Sequence, residues 1–132
     1  MAKYRVVFLE EAGEHLEDMS RALLELEREP GRGEAIDLVF RMAHSIKGMA
    51  ASLGYDAITE VAHRLEDRMQ GVRAAGRVEP DDLALLFKGL EGMEAMLASV
   101  RDSGEAPPAD PWLAHALAAP VAPRKKKVPS PG

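Results

Sequence analysis

Cysteine is absent from this chain, so neither a disulfide bond nor thiolate chemistry is available, which fits a reducing compartment. Aromatic residues make up only 5% of the sequence although 46% of it is hydrophobic, and a core with few aromatic or β-branched runs favours helices over sheets. No apolar run approaches the ~20 residues of a membrane span, and the N-terminus lacks the apolar core of a signal peptide. These absences predict a helical, cytoplasmic protein without direct membrane insertion.

Charge is distributed unevenly along the 132 residues. The run from Arg124 to Lys127 supplies +4 near the C-terminus, and because the whole chain carries −5, residues 1–123 carry −9. A body this acidic repels the phosphates of nucleic acids, so nucleic acid is not expected as a partner.

Four segments repeat apolar residues at intervals of three and four, which is the spacing of one helix face. Turn-forming residues separate them, and Asp56 is expected to cap the third helix while Pro80 begins the fourth. Four such helices joined by short loops predict an all-α fold, an up-down-up-down antiparallel four-helix bundle. The predicted helices cover about residues 4–29, 34–53, 56–75 and 80–100.

The sequence changes character after the fourth helix. Asp110-Pro111 can open a short fifth helix from Trp112 to Ala119, whose Trp112, Leu113 and Leu117 would lie against the bundle. The stretch from Pro120 to Gly132 has four prolines and no periodicity, which is typical of a flexible linker. The predicted organisation is a bundle over residues 1–103, a connector with the fifth helix over 104–119, and a basic proline-rich linker over 120–132.

His44, Lys47 and Gly48 share one face of the second helix, because they lie at positions i, i+3 and i+4. Glycine within a helix costs roughly 0.5–1 kcal/mol relative to alanine, so its presence beside a histidine indicates that another molecule comes close. His44 lies ten residues before Gly54 and Glu66 twelve after it, which brings them to the same level of a helical hairpin. A carboxylate there would accept a hydrogen bond from Nδ1–H and leave the lone pair on Nε2.

An imidazole held in this way is a nucleophile suited to a phosphoryl group. Phosphoryl transfer asks the protein mainly for positioning and for stabilisation of charge. Lys47 would offset the charge of the phosphoryl oxygens, and Gly48 would let a second active site approach. Further cations expected nearby are Arg41, Arg64 and Arg68.

Three motifs together resemble the histidine-containing phosphotransfer (HPt) domain family. They are Ala43-His44-Ser45-Ile46-Lys47-Gly48, the following Gly54-Tyr55, and Ala62-His63-Arg64-Leu65-Glu66. The likeness is greatest to the N-terminal phosphotransfer (P1) domains of CheA-type chemotaxis histidine kinases, whose first helix is similar to Phe8-Leu9-Glu10-Glu11-Ala12. One departure is Met49, where the family often has a small residue.

The resemblance implies roles for individual residues. In that family the kinase's ATP-binding domain phosphorylates the first histidine on Nε2, and the phosphoryl group then passes to an aspartate of a response regulator. By the match, His44 is the phospho-acceptor, Glu66 its hydrogen-bond partner, and Lys47 and His63 are supporting polar residues. The residues expected to dock partners are Gly48, Ser45 and Arg41.

The same resemblance implies partners and cofactors. The chain contains neither a glycine-rich phosphate loop nor an acidic Mg²⁺-binding motif, so ATP and Mg²⁺ would belong to a kinase domain elsewhere in a longer parent protein. No cofactor is expected in this domain. The expected partners are that kinase domain and the receiver domain of a response regulator, and the fragment alone is expected to be monomeric.

Simpler interpretations remain open for several of these residues. His15 and His115 are expected to be ordinary surface histidines, and His63 could merely pack against the second helix. Gly48 could be a packing notch between helices instead of a docking site. Lys47 and Glu66 could belong to solvated helix faces.

Two other functions also remain open. His44, His63 and Glu66 are three candidate metal ligands, and helical bundles do host carboxylate–histidine metal sites. The apolar seams argue against such a site, so no metal ligand is predicted. A purely structural bundle or adaptor is the third function, and it predicts that replacing His44 has no functional consequence.

Overall fold

A computed structural model describes residues 2–105, 108 and 111–118 of the chain. The described residues form helices only, and α1 packs against α2 and α4 while α3 packs against the same two helices. This arrangement confirms the predicted antiparallel four-helix bundle. The helices are α1 (Ala2–Arg28), α2 (Gly33–Leu53), α3 (Asp56–Ala75), α4 (Pro80–Ser103) and α5 (Pro111–Ala118).

The apolar stripe of each long helix faces the centre of the bundle. Every seam position expected from the helical spacing is buried, apart from Leu53, which is half-buried at the end of α2. Within the described residues, the methionines lie in the core or pack at its margin, as their flexible side chains allow. Because the opposite faces are polar, none of the described helices is both long and apolar enough to cross a membrane.

The turn between α2 and α3 sets the register of the two helices that carry the predicted site. Gly54 ends α2 with a φ of 78°, a left-handed conformation that residues with a Cβ rarely adopt. The expectation that Asp56 caps α3 is wrong, because Tyr55 is the N-cap residue and makes no side-chain cap. Asp56 lies instead in the first turn of α3, where its negative charge interacts favourably with the helix dipole.

The short fifth helix packs against α3 and α4. Its Leu113 and Leu117 are buried, as expected for a helix that lies on the bundle. The side chain of Trp112, together with Asp110 and residues 119–132, lies outside the described residues, so the predicted contact of Trp112 and the predicted linker stay predictions.

Candidate functional site

The hairpin of α2 and α3 brings together two residues that are 22 positions apart in sequence. Nδ1 of His44 lies 2.5 Å from Oε2 of Glu66. The His44 side chain is 64% exposed whereas that of Glu66 is only 10% exposed. The structure thus places an accessible imidazole within hydrogen-bonding distance of a buried carboxylate.

Lys47 is the second group on this carboxylate. Its Nζ lies 2.5 Å from Oε1 of Glu66, one turn of α2 beyond His44. Both carboxylate oxygens are therefore engaged by side chains of α2, which holds Glu66 in one orientation.

The ionisation of Glu66 follows from a balance of opposing effects. Burial raises the pKa of Glu66, but the hydrogen bonds from Lys47 and His44 and the charges of those two groups lower this pKa more strongly. The net pKa lies below the ordinary value, so Glu66 is ionised at neutral pH.

An ionised carboxylate determines the tautomer of its imidazole neighbour. Because Glu66 has no proton to donate, the short contact requires that Nδ1 of His44 carries the proton and donates it. In a neutral imidazole the lone pair is then on Nε2. The site presents a nucleophilic nitrogen on an exposed side chain, backed by a fixed negative charge.

Gly48 lies beside this site and faces open space. A Cβ atom at this position would meet no other atom within 4 Å, so the interpretation of Gly48 as a packing notch is wrong. A groove of about 510 Å³ between α2 and α3 begins here. Its walls are Lys47, Gly48, Ala51, Asp56, Thr59, Glu60 and His63.

His63 lines that groove but is not brought to His44. Its side chain is 57% exposed, and its Nε2 lies 3.5 Å from Oδ2 of Asp67 on the same helix. The expected packing of His63 into the hairpin is therefore limited to the groove wall. Within the described residues, no group of three or more His, Asp or Glu side chains is arranged to hold a metal ion, so the ligand set considered above does not assemble.

The remaining predicted residues surround the histidine at different depths. Arg41 is exposed one turn before His44, and Ser45 is half-buried on the next position of α2. Met49 packs against the core, so the larger side chain at this position is accommodated there.

Two of the expected nearby cations are engaged elsewhere. Arg64 pairs with Glu60 on its own helix. Arg68 is buried and pairs with Asp82 of α4, so it faces away from the exposed histidine. The sequence contained a signal for this burial, because Arg68 follows Leu65 by three residues on the apolar stripe of α3.

Comparison with known proteins places the whole bundle in one family. The family model described as Hpt domain matches residues 3–103. The chain belongs to the Hpt domain family. The match covers all four long helices and both halves of the His44–Glu66 pair.

Individual Hpt-containing relatives are chemotaxis proteins. The chain is 36% identical over 106 residues to the chemotaxis protein CheA of Halobacterium salinarum, and equally so to that of Bacillus subtilis. In both cases the match covers 80% of this chain but only 16% of the relative, so the chain spans a small part of these proteins.

Solved structures share the fold over nearly the whole chain. The solution structure of the histidine phosphotransfer domain of CheA matches with a TM-score of 0.79 and 26% identity, covering 98% of this chain and 99% of that one. A crystal structure of the phosphorylated P1 domain of CheA3 in complex with CheY6 from R. sphaeroides matches with a TM-score of 0.77 and 24% identity. That second match covers 89% of this chain and 91% of the other, and it concerns the fold alone.

Proposed function

We propose that this Hpt domain is the phosphotransfer module of a CheA-type chemotaxis histidine kinase, with His44 as the phospho-acceptor. His44 takes the γ-phosphoryl group of ATP from the kinase's catalytic domain and passes it to an aspartate of a receiver domain. The observation that carries this proposal is the exposed imidazole whose Nδ1 is bound to the ionised Glu66.

The chemistry of acceptance follows from that geometry. The Nε2 lone pair attacks the γ-phosphorus, a P–N bond forms, the bond between that phosphorus and the β,γ-bridging oxygen of ATP breaks, and ADP leaves with that oxygen. The imidazole ring gains positive charge as the bond forms, and the carboxylate of Glu66 stabilises this charge through Nδ1–H. In the second step the P–N bond breaks, a receiver aspartate takes the phosphoryl group, and Nε2 recovers its lone pair.

Neighbouring residues have supporting roles in this proposal. Lys47 keeps Glu66 ionised and places a positive charge one turn from the phosphoryl group. Gly48 leaves room for the partner's active site, while Ser45 and Arg41 contribute to docking. His63 supports docking from the wall of the groove and does not contact His44 directly.

The partners and cofactors of the parent protein also belong to this proposal. ATP and Mg²⁺ are bound by the kinase domain, and this domain needs no cofactor of its own. The name chemotaxis protein CheA of the relatives supports chemotaxis signalling, and the proposed acceptor is a CheY-like receiver. The proposed domain spans residues 1–103, followed by the connector with α5 to residue 119 and a linker to residue 132. The isolated domain is proposed to be a monomer, and its proposed location is the cytoplasm.

A labelling experiment tests the assignment of His44. The chain is incubated with γ-labelled ATP and a CheA-type catalytic domain that labels its own phosphotransfer domain. We expect an acid-labile, base-stable label on the wild type and on His15→Gln, and none on His44→Gln. His15 lies on α1 and is the matched control. Full labelling of His44→Gln would refute the assignment.

A further inference from the structure

Two buried residues close to Glu66 in sequence pack on other faces of α3: Leu65 precedes it by one position and Arg68 follows it by two. Leu65 is 1% exposed and belongs to the core shared with α4 and α5. Arg68 is 6% exposed. Successive helix residues are separated by about 100°, so Leu65 and Arg68 project from other faces of α3 than Glu66, whose side chain contacts α2.

Arg68 joins three helices. Its guanidinium donates to Oδ1 of Asp82 at 2.6 Å on the first turn of α4. It also donates to the carbonyl oxygen of Leu117 at 3.1 Å, near the C-terminal end of α5. The last carbonyl groups of a helix lack partners within the helix and need such donors. Arg68 therefore donates to a terminal carbonyl of α5 while it pairs with the carboxylate of Asp82.

Two glycines of α4 receive the side chains of α3 and α5. A Cβ atom on Gly89 would lie 2.8 Å from Cδ2 of Leu65 and 3.6 Å from Cδ1 of Leu117. A Cβ atom on Gly92 would lie 2.7 Å from Cδ2 of Leu113. The two glycines therefore leave space on the surface of α4 in which Leu65 of α3 and the leucines of α5 pack.

We propose that Leu65 and Arg68 are positioning residues for phosphoryl transfer, and that the docked α5 holds them so that Glu66 stays against His44. This inference rests on the proposed function, because it concerns the carboxylate that supports the phospho-acceptor. α5 thereby acts on the site although it lies on the opposite side of α3.

The physical reason is the short range of the hydrogen bond. The Nδ1–Oε2 contact is 2.5 Å, and such contacts weaken steeply beyond about 3.2 Å. A small rotation or shift of α3 moves the Glu66 carboxylate by a comparable amount. Well-packed side chains on the far side of the helix restrict that motion.

Two variants of the full chain loosen α5 at different points. Leu117→Ala removes a side chain that packs beside Leu65 over Gly89. Gly92→Leu places a larger side chain where Leu113 lies, and no atom of α3 lies within 4 Å of a Cβ atom at this position. Leu26→Ala is the matched control, because Leu26 is 0% exposed in the core but lies on α1.

The first readout is the titration midpoint of the Glu66 carboxyl carbon by NMR, which needs no kinase. Glu66 faces His44 and Lys47 of α2, so loss of their contacts raises its midpoint. We expect the midpoint to shift upward in Leu117→Ala and Gly92→Leu, because the charges and hydrogen bonds that lower the pKa of Glu66 would be weakened. Leu26→Ala should leave the midpoint unchanged.

The second readout is the initial rate of His44 labelling. This rate should fall by up to about tenfold in the two α5 variants, because the hydrogen-bond partner of the reacting imidazole is less well held. Hydrogen exchange of the α5 amides checks that α5 has loosened. An unchanged Glu66 midpoint in variants whose α5 amides exchange faster would overturn the inference. Failure to label even the wild type would instead refute the proposed function. The Glu66 titration would still show whether the docking of α5 affects the contact between Glu66 and His44.

Discussion

The ammonium group of Lys47 lies 2.5 Å from Oε1 of Glu66, the carboxylate that also accepts from Nδ1 of His44. Lys47 therefore acts first on the carboxylate and only through it on the imidazole. Burial alone raises the pKa of Glu66, and the two groups of α2 lower this pKa by more. Lys47 thus helps to keep ionised the carboxylate that sets the tautomer of His44.

Replacing Glu66 by glutamine should slow phosphorylation of His44 without abolishing it. The amide oxygen can still accept from Nδ1–H, but it carries no charge to stabilise the imidazolium. We expect a rate about 10- to 100-fold lower, the usual effect of losing an outer-shell partner. Initial labelling rates measure this, with exposed Glu94→Gln on α4 as the control. Unchanged kinetics would remove Glu66 from the mechanism.

The stabilising effect of Glu66 should disappear in acid. Its pKa in the folded protein lies below the ordinary value of 4.5, so its contribution to the free energy of unfolding is complete above about that pH. The contribution falls as the pH drops through the lowered folded-state pKa. Urea unfolding of wild type and Glu66→Gln between neutral and acidic pH should show a stability difference that shrinks in acid. A difference independent of pH would contradict the ionised pair.

Gly48→Ala should stabilise the bundle while larger residues at this position impair transfer. A Cβ atom meets nothing there, so alanine should gain roughly 0.5–1 kcal/mol of unfolding free energy. Gly13→Ala on α1, where a Cβ atom also meets nothing, is the matched control for stability. Gly48→Trp should remain folded but transfer phosphoryl groups more slowly in both directions. Wild-type transfer rates in Gly48→Trp would show that partners do not approach this face.

Two of the arginine pairs of α3 should differ sharply in their effect on the free energy of unfolding. The Arg68–Asp82 pair is buried, so Arg68→Met leaves a buried charge unpaired and should cost about 3–5 kcal/mol. The Arg64–Glu60 pair is partly exposed, and Arg64→Met should cost only about 0–1 kcal/mol. Urea unfolding measures both. The double variant Arg68→Met with Asp82→Leu should recover most of the loss, and a cost that persists would contradict the unpaired-charge explanation.

Local periodicity was sufficient to predict the four long helices and the apolar stripe that each of them buries. The same spacing, combined with the short turn at Gly54, placed His44 and Glu66 at one level of a hairpin. That prediction needed only the rise of a helix and the length of a loop, both of which are local quantities. The 2.5 Å contact between the two side chains agrees with this expectation.

Other relationships depend on which helix packs beside which, and no local pattern contains that information. Arg68 of α3, for example, pairs with Asp82 of α4. The glycines at 89 and 92 interrupt no pattern, yet they receive leucines of α3 and α5. Periodicity predicts that a helix face is buried. Which residues contact that face depends on how segments distant in sequence pack together, and this is seen only in the folded bundle.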